Sequence, residues 1–212
     1  MTPEPILETL LKTYPALLPC RNDIEKAYTL LLTAARQKAL IMACGNGGSA
    51  ADSEHIVGEL MKGFNLMRPL SEEEKSAFEG VEDGKEIADK LQGAIRAVSL
   101  VSQTGLISAF ANDIDASLVF AQQVWAYAAS ENDVLIALST SGNSRNVVNA
   151  AKTAKAKGIK TIAITGSKNS KLSVLADVAV KLPAGTPFEV QEFTLPVYHA
   201  LCAMLEAALF EQ

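Results

Sequence analysis

Short apolar runs recur along the chain and alternate with segments whose apolar residues have helical spacing. The runs contain few polar residues, and they lie at residues 40–43, 94–102, 133–140, 160–166 and 177–183. Buried parallel strands have this near-continuous apolar character because helices cover both faces of their sheet. The helical segment between the third and fourth runs closes on Gly158, as helices often do. The alternation predicts an α/β domain with a doubly wound parallel sheet flanked by helices.

Two amphipathic patterns precede the first apolar run. One lies at residues 6–18, and the other, at residues 22–38, has Asn22 or Asp23 as a candidate N-cap. We therefore expect residues 1–38 to form N-terminal helices. Such helices either cover the edge of the sheet or pack against another subunit.

An acidic stretch separates the first apolar run from the second. Residues 71–90 contain eight acidic and three basic residues, which accounts for the whole net charge of −5. Ser71 and Glu74 form a capping-box pattern for a short helix. We expect residues 70–95 or so to be an acidic helical insertion, either a solvated surface element or a lid, in a single domain of residues 1–212. Because the remaining charges balance, nothing here favours nucleic acid as a partner.

Composition and the start of the chain limit the class of protein. Apolar residues make up 49% and charged residues 20% of the chain, a normal globular mixture. The start lacks the basic and apolar regions of a secretory signal, and no run approaches the length of a membrane span, about 18 apolar residues. Cys20, Cys44 and Cys202 are far apart, so neither a disulfide framework nor a thiolate zinc site is indicated. We expect a cytoplasmic protein without a membrane partner.

Residues 41–59 join an apolar run to a Gly-rich turn and then to a helix. Gly45, Gly47 and Gly48 permit the backbone angles and the close approach that a loop around a ligand requires. Ser49 and the first amides of the helix would direct donors toward an anion such as phosphate. A tight turn without a ligand is an equally good interpretation of this stretch alone. No Walker or dinucleotide-binding spacing is present, which argues against nucleotides.

A second polar loop follows the third apolar run. Its hydroxyl-bearing residues lie within one short segment and are Ser139, Thr140, Ser141 and Ser144. Each hydroxyl alone is better explained as a helix cap. Together, at the carboxyl end of a strand and the start of a helix, they favour a phosphate site that complements the first loop.

The helix after the first loop carries two residues that suit acid–base or metal chemistry. His55 and Glu59 are spaced i and i+4, so they share one helix face and could bind one metal or act as a base beside its orienting group. His199 is the only other histidine in the chain. A surface role for His55 and a core role for His199 are the alternatives.

Gln191 and His199 lie near each other in the sequence but not on a straight helix. Eight residues correspond to about 12 Å of helical rise, too far for both to bind one ion. Either the chain bends between them or different subunits supply them. Thr194 suits an N-cap, and Pro196 is tolerated in a first turn, so we expect the final helix to start after Gln191.

The two loops resemble those of the sugar isomerase (SIS) domain, in which they surround a sugar phosphate. Within that superfamily the sequence is most similar to the phosphoheptose isomerase family, through CGNGGSAADSEHIVGEL, the Asn112–Asp113 pair, ALSTSGNSRNVV, and VQEF followed by His199. The resemblance covers nearly the whole chain apart from residues 70–95. The serine loop alone indicates only the superfamily. Four further residues make the resemblance more specific: His55, Glu59, Gln191 and His199.

This resemblance implies a fold, a reaction and a set of site residues. It implies a flavodoxin-like sandwich, a homotetramer with interface active sites, and aldose–ketose isomerisation through an enediol. Glu59 would be the base and His199 the second acid or base. One Zn²⁺ per site would be held by His55, Glu59, Gln191 and His199. A phosphorylated sugar would contact Asn46, Gly47, Gly48, Ser49, Asn112, Asp113, Ser139, Thr140, Ser141, Ser144 and Gln191.

The sequence also departs from this family. Lys62–Gly63 stands where an Arg is usual, and Phe188–Glu189 stands where Asp-Arg is common. Lys lacks the bidentate fork of Arg, so the contacts that select the sugar are open. Two other classes share the fold: a sugar-phosphate sensor, and a non-catalytic tetrameric scaffold such as the replication-initiation regulators. The scaffold proteins lack the acid–base residues and a sensor does not need them, so their retention favours an enzyme.

Overall fold

Five parallel strands form one sheet in the computed structural model, which describes residues 3–210. The strands are β1 (Ile41–Cys44), β2 (Ala97–Ser99), β3 (Val134–Ser139), β4 (Lys160–Thr165) and β5 (Val178–Lys181). Their order is β2-β1-β3-β4-β5, and every neighbouring pair is parallel. The predicted doubly wound sheet is confirmed. The chain adds β2 on one side of β1 and the later strands on the other side. The topological switch point therefore lies between β1 and β3, the place where sheets of this kind bind ligands.

Helices cover both faces of the sheet. They are α1 (Pro3–Thr13), α2 (Arg21–Arg36), α3 (Gly48–Met61), α4 (Glu72–Ser76), α5 (Gly84–Lys90), α6 (Thr104–Phe110), α7 (Val119–Tyr127), α8 (Arg145–Ala156), α9 (Lys171–Leu175) and α10 (Pro187–Phe210). Side chains of α1, α2, α3 and α10 share one apolar cluster with Ile41 and Ala43. Those of α7, α8 and α9 share the other with Met42 and Cys44. Alternate residues of β1 therefore enter opposite cores, as the period of a strand requires.

The N-terminal helices are confirmed, but the predicted cap of α2 is wrong. A short 3₁₀ helix (Pro15–Cys20) runs directly into α2, whose N-cap position is Cys20. Asn22 and Asp23 therefore lie inside the first turn. There the carboxylate of Asp23 still interacts favourably with the helix dipole.

The predicted start of α10 is also wrong, because the helix begins before Gln191. Thr186 precedes Pro187, and Glu189 accepts hydrogen bonds from the Thr186 amide at 3.2 Å and the Thr186 hydroxyl at 2.6 Å. Pro187 occupies the first helical position, where its missing N–H costs nothing. Gln191 is thus already in the second turn of this helix.

Thr194 and Pro196 lie in the interior of α10. The Thr194 hydroxyl donates to the carbonyl of Val190 at 2.8 Å, so it does not cap a helix. Pro196 has no N–H to offer the preceding turn, yet the helix continues to Phe210. Gln191 and His199 consequently belong to one uninterrupted helix.

The predicted insertion forms two short helices joined by the ion pair of Lys75 with Asp89. The capping box of α4 is confirmed: the Glu74 amide donates to Ser71 Oγ at 3.2 Å, and the Ser71 amide donates to Glu74 Oε2 at 2.9 Å. Lys75 pairs with Glu72 on α4 and with Asp89 on α5. The insertion connects the end of α3 to the start of β2, so it lies at the amino edge of the sheet. It does not cover the loops of its own chain at the opposite edge.

One finding qualifies the expectation about membrane spans. Within residues 3–210, α10 is long and apolar enough to cross a membrane by length and composition. Half of its apolar window is buried inside the protein, including Val197, Leu201 and Leu205. A buried core helix passes the same test, so this is weak evidence.

Candidate active site

The first loop forms a tight cradle between β1 and α3. Gly47 has φ +56°, which favours glycine, and it precedes the first residue of α3. A Cβ on Gly45 would lie 2.5 Å from the Ser49 carbonyl oxygen, and one on Gly48 would lie 2.5 Å from Gln191 Nε2. The glycines therefore let the backbone fold over buried Ser49, and they let Gln191 pack against the start of the helix.

The second loop directs hydroxyl groups to the same edge of the sheet. Buried Ser139 donates a hydrogen bond to Ser144 Oγ at 3.1 Å, while Ser141 is exposed and Thr140 is half-buried. Gly142 has φ +63°, and a Cβ there would overlap the hydroxyl of Ser170. This geometry leaves the loop hydroxyls and the first amides of α8 available to an anion.

A reciprocal amide pair joins the two loops. Asn46 Nδ2 donates to Asn146 Oδ1 at 2.9 Å, and Asn146 Nδ2 donates to Asn46 Oδ1 at 2.8 Å. Each side chain thus uses both a donor and an acceptor on the other. Asn146 was not among the predicted site residues, because only the order β1-β3 in the sheet brings it to the first loop.

The Asn112–Asp113 pair lies between α6 and α7. Both residues are exposed in a π-helical turn (Ala111–Asp115) after α6, and Asn112 Nδ2 donates to Asp113 Oδ1 at 2.8 Å. Within residues 3–210 no side-chain hydrogen bond links them to either loop. Their predicted contact with a sugar phosphate stays a prediction.

His55, Glu59 and His199 are brought together by the parallel packing of α3 and α10. His55 Nε2 lies 3.2 Å from Glu59 Oε1, and the rings of His55 and His199 have centroids 4.9 Å apart. Glu59 is 9% exposed, whereas 44% of the His55 side chain is exposed. Lys62–Gly63 stands where the family usually has an Arg, and Lys62 Nζ lies 3.0 Å from Glu59 Oε2. We call His55, Glu59 and His199 the acid–base cluster.

His199 has the most unusual environment in the acid–base cluster. Its ring packs against Phe64 and Tyr198, and its buried Nε2 has no hydrogen-bond partner among the described residues. Burial lowers the pKa of His199 below its ordinary value, and the nearby His55 lowers it further, against the opposing effect of Glu59. The ring is therefore neutral at pH 7 and suits a base or a metal ligand.

A buried ion pair supports the acid–base cluster from behind. Arg68 Nε donates to Glu206 Oε1 at 2.8 Å, with both side chains almost fully buried. Arg68 also donates to the carbonyls of Glu59 and Leu60, which end α3. Glu206 accepts the amides of Phe64, Asn65 and Leu66 at 2.7 to 3.1 Å. The pair thus fixes the end of α3 and the Phe64 loop against α10.

Comparisons with known proteins identify the family of the chain. Two SIS-domain family models match the chain, one over residues 19–98 and the other over residues 106–209. A phosphoheptose isomerase of Akkermansia muciniphila is 30% identical over 197 residues, which cover 93% of this chain and 91% of that protein. One of Nitratiruptor sp. is 33% identical over 186 residues, which cover 88% and 86%. The chain belongs to the phosphoheptose isomerase family of SIS-domain proteins.

Solved structures of this family share the fold. The phosphoheptose isomerase of Neisseria gonorrhoeae is 27% identical with a TM-score of 0.68, over 94% of this chain and 98% of that one. A phosphoheptose isomerase of Francisella tularensis is 23% identical with a TM-score of 0.73, over 97% and 98%.

The resemblance to phosphoheptose isomerases implies a bound zinc ion. The residues of one chain fit such an ion only in part. Imidazole nitrogens and a carboxylate are ligands that zinc prefers, and the unpartnered His199 Nε2 suits such a role. Yet within residues 3–210 no three His, Cys, Asp or Glu side chains surround a common point. Gln191 lies against Gly48, about 12 Å of helical rise from His199. The described part of one chain thus offers ligands that zinc prefers but does not gather them around one ion.

One departure from the family pattern has a structural reason. Glu189, which stands where an Arg is common in this phosphoheptose isomerase family, caps α10 through Thr186. Phe188 is 62% exposed and cannot offer a polar contact to a sugar. These two positions are therefore not equivalent in chemistry to the Asp-Arg pair.

Proposed function

We propose that this chain is an aldose–ketose isomerase that interconverts sedoheptulose 7-phosphate and D-glycero-D-manno-heptose 7-phosphate. The names of the most similar relatives support the substrate class. The observation that carries the proposal is the acid–base cluster itself, in which His55 contacts both Glu59 and the ring of His199, whose Nε2 has no partner among residues 3–210. A sugar-phosphate sensor would need the two loops but not this cluster.

We further propose that each active site combines two subunits of a homotetramer. Glu59 follows Ser49 by ten residues on α3, about 15 Å of helical rise, and Gln191 is similarly far from His199 on α10. The loops with Gln191 and the acid–base cluster therefore lie at different ends of the α3–α10 pair. The exposed face of His55 leaves room for a neighbouring chain to bring its loops and Gln191 to this cluster.

In this mechanism the loops bind the phosphate and the cluster moves protons. Ser49, Ser139, Thr140, Ser141 and Ser144 hold the phosphate of the open-chain sugar, with its carbonyl end at the cluster. Glu59 removes the proton from the carbon next to the carbonyl, which gives an enediol, and the proton is returned to the other carbon. His199 transfers the proton between the two oxygens. Lys62 Nζ donates a hydrogen bond to Glu59 Oε2 at 3.0 Å and so helps to hold the carboxylate in place.

A zinc ion has a defined place in this proposal. His55, Glu59 and His199 of one chain and Gln191 of its neighbour would hold it once these side chains turn toward a common point. The enzyme would act in the cytoplasm. Bound zinc would act as a Lewis acid that polarises the sugar carbonyl. The residues of the chain would still perform the proton transfers.

The test is turnover of a panel of sugar phosphates by purified protein, with and without added zinc, followed by NMR. The heptose phosphate should react, and shorter ketose and aldose phosphates should react more slowly. Glu59→Gln should keep the fold and lower kcat by ~10²- to 10⁴-fold, the usual contribution of one proton-transfer group. Full activity in that variant would overturn the mechanism. Binding of a sugar phosphate without turnover by the wild type would indicate a sensor or a scaffold.

A further inference from the structure

Tyr198 lies behind His55 and contacts two residues of α3. Its ring is 2% exposed, and its hydroxyl oxygen lies 2.9 Å from His55 Nδ1 and 3.3 Å from Asp52 Oδ1. A tyrosine hydroxyl has one hydrogen to donate and an oxygen that can accept.

A neutral His55 ring and the Tyr198 hydroxyl carry two hydrogens between them, so they cannot make all three of the contacts with Tyr198, Asp52 and Glu59 as hydrogen bonds. In one arrangement the Asp52 carboxylate accepts the Tyr198 hydrogen, and the Tyr198 oxygen accepts from His55, which places the ring hydrogen on Nδ1. In the other, Tyr198 donates to Nδ1 and His55 Nε2 donates to Glu59, which leaves the Tyr198 and Asp52 oxygens 3.3 Å apart without a hydrogen.

We propose that Asp52 and Tyr198 are positioning residues that hold the hydrogen of His55 on Nδ1 and thereby direct Nε2 toward Glu59. In the neutral ring Nε2 then presents a lone pair 3.2 Å from Glu59 Oε1. Two facing acceptors are stabilised by a cation beside them, such as Lys62 Nζ, 3.0 Å from the other oxygen of Glu59, or a bound metal ion. A histidine whose second nitrogen is fixed by a hydrogen-bonded oxygen is the usual arrangement of a metal ligand. The preference for the Nδ1 hydrogen therefore rests on the proposed function, in which His55 Nε2 is a metal ligand.

The experiment uses the fact that the chain contains only two histidines. Protein labelled with ¹⁵N-histidine gives two imidazole ring patterns in long-range ¹H–¹⁵N correlation spectra, and His55→Gln assigns them. At a pH where both rings are neutral, wild-type His55 should be protonated on Nδ1. Tyr198→Phe should shift it toward the Nε2-protonated form. Tyr127→Phe, on the opposite face of the sheet, is the matched control and should change neither ring.

A second variant and a second measurement separate this inference from a loss of packing. Asp52→Ala frees the Tyr198 hydroxyl to donate to His55, so this variant should also show the Nε2-protonated form. Zinc affinity, measured by competition with a chromophoric chelator, should fall 10- to 100-fold in Tyr198→Phe, a typical effect of a residue that orients a ligand.

Two results would overturn the inference: an Nε2-protonated His55 in the wild type, or an unchanged Nδ1-protonated ring in Tyr198→Phe. A wild type with the expected Nδ1 hydrogen but no zinc affinity would instead leave the inference in place and remove zinc from the proposed function.

Discussion

The two phosphate loops and the acid–base cluster are built on different principles. The shape of each loop is set mainly by its backbone at the carboxyl edge of the sheet. The Asn46–Asn146 pair joins the two loops within one chain. The cluster consists of side chains on two helix faces, and 44% of the His55 side chain is exposed. The loops are thus complete in one chain, whereas the cluster has an open side. In the proposed enzyme the two parts meet only when subunits assemble.

The sharpest test of this difference is complementation between inactive chains. A Glu59→Gln chain retains its loops and Gln191, and a Gln191→Ala chain retains its acid–base cluster. If each site takes its cluster from one chain and Gln191 from another, random co-assembly restores about a quarter of the sites, although each variant alone is nearly inactive. Turnover by co-expressed, differently tagged chains measures the restored fraction.

The control for complementation pairs two variants within the cluster. Glu59→Gln and His199→Asn alter residues that lie together in one chain, so no arrangement of these two chains creates an intact site. Activity in this mixture would show that Glu59 and His199 act across subunits. Failure of the first mixture to recover activity would place Gln191 and the cluster in the same chain's site.

The support behind the cluster predicts a pH-dependent loss of stability in Glu206→Gln. Burial disfavours the Glu206 carboxylate, but the amides of Phe64 and Asn65 and the guanidinium of Arg68 outweigh it and lower its pKa. Its contribution is complete above the unfolded pKa of about 4.3 and is lost as the pH falls through the folded pKa. At neutral pH the variant should therefore lose roughly 1.5–3 kcal/mol of unfolding free energy, a typical value for hydrogen bonds to a charged group.

Denaturant unfolding of both proteins from pH 7 to pH 3 measures this effect. The two stabilities should converge at the acid end, where wild-type Glu206 is protonated and resembles Gln. Glu74→Gln is the control, because Glu74 is also a capping acceptor with a lowered pKa but lies on the surface. A difference between wild type and Glu206→Gln that does not depend on pH would contradict the assigned role of the charge.

Local signals predicted the strands, the loops and the His55–Glu59 pair. Apolar runs and glycine-rich turns act over a few residues, so the fold class and the positions of both loops could be predicted from the sequence, while phosphate binding by the loops stays a prediction. The start of α10 was missed although Thr186, Pro187 and Glu189 form a recognisable capping pattern. Pro196 was given too much weight, because tertiary packing holds this helix together across a proline.

Contacts between distant segments could not be predicted from local signals, and the proximity of His55 and His199 was implied only by the family resemblance. Arg68 and Glu206 lie 138 residues apart, and Asn46 and Asn146 lie 100 apart. Their partners depend on sheet order and on the parallel packing of α3 with α10, which no local pattern encodes. The same holds for Tyr198, which on sequence alone is one more apolar position in a core helix.

The smallest predicted effect concerns the amide pair that joins the loops. Asn146→Ala removes both hydrogen bonds to Asn46 and loosens the phosphate loops, while the acid–base cluster stays intact. Since a neutral hydrogen bond contributes about 0.5–1.5 kcal/mol, KM should rise roughly 3- to 10-fold with kcat nearly unchanged. Asn132→Ala, exposed before β3 at the other edge of the sheet, should leave both constants as they are. A lower kcat at unchanged KM in Asn146→Ala would mean that the amide pair serves the chemistry and not the phosphate.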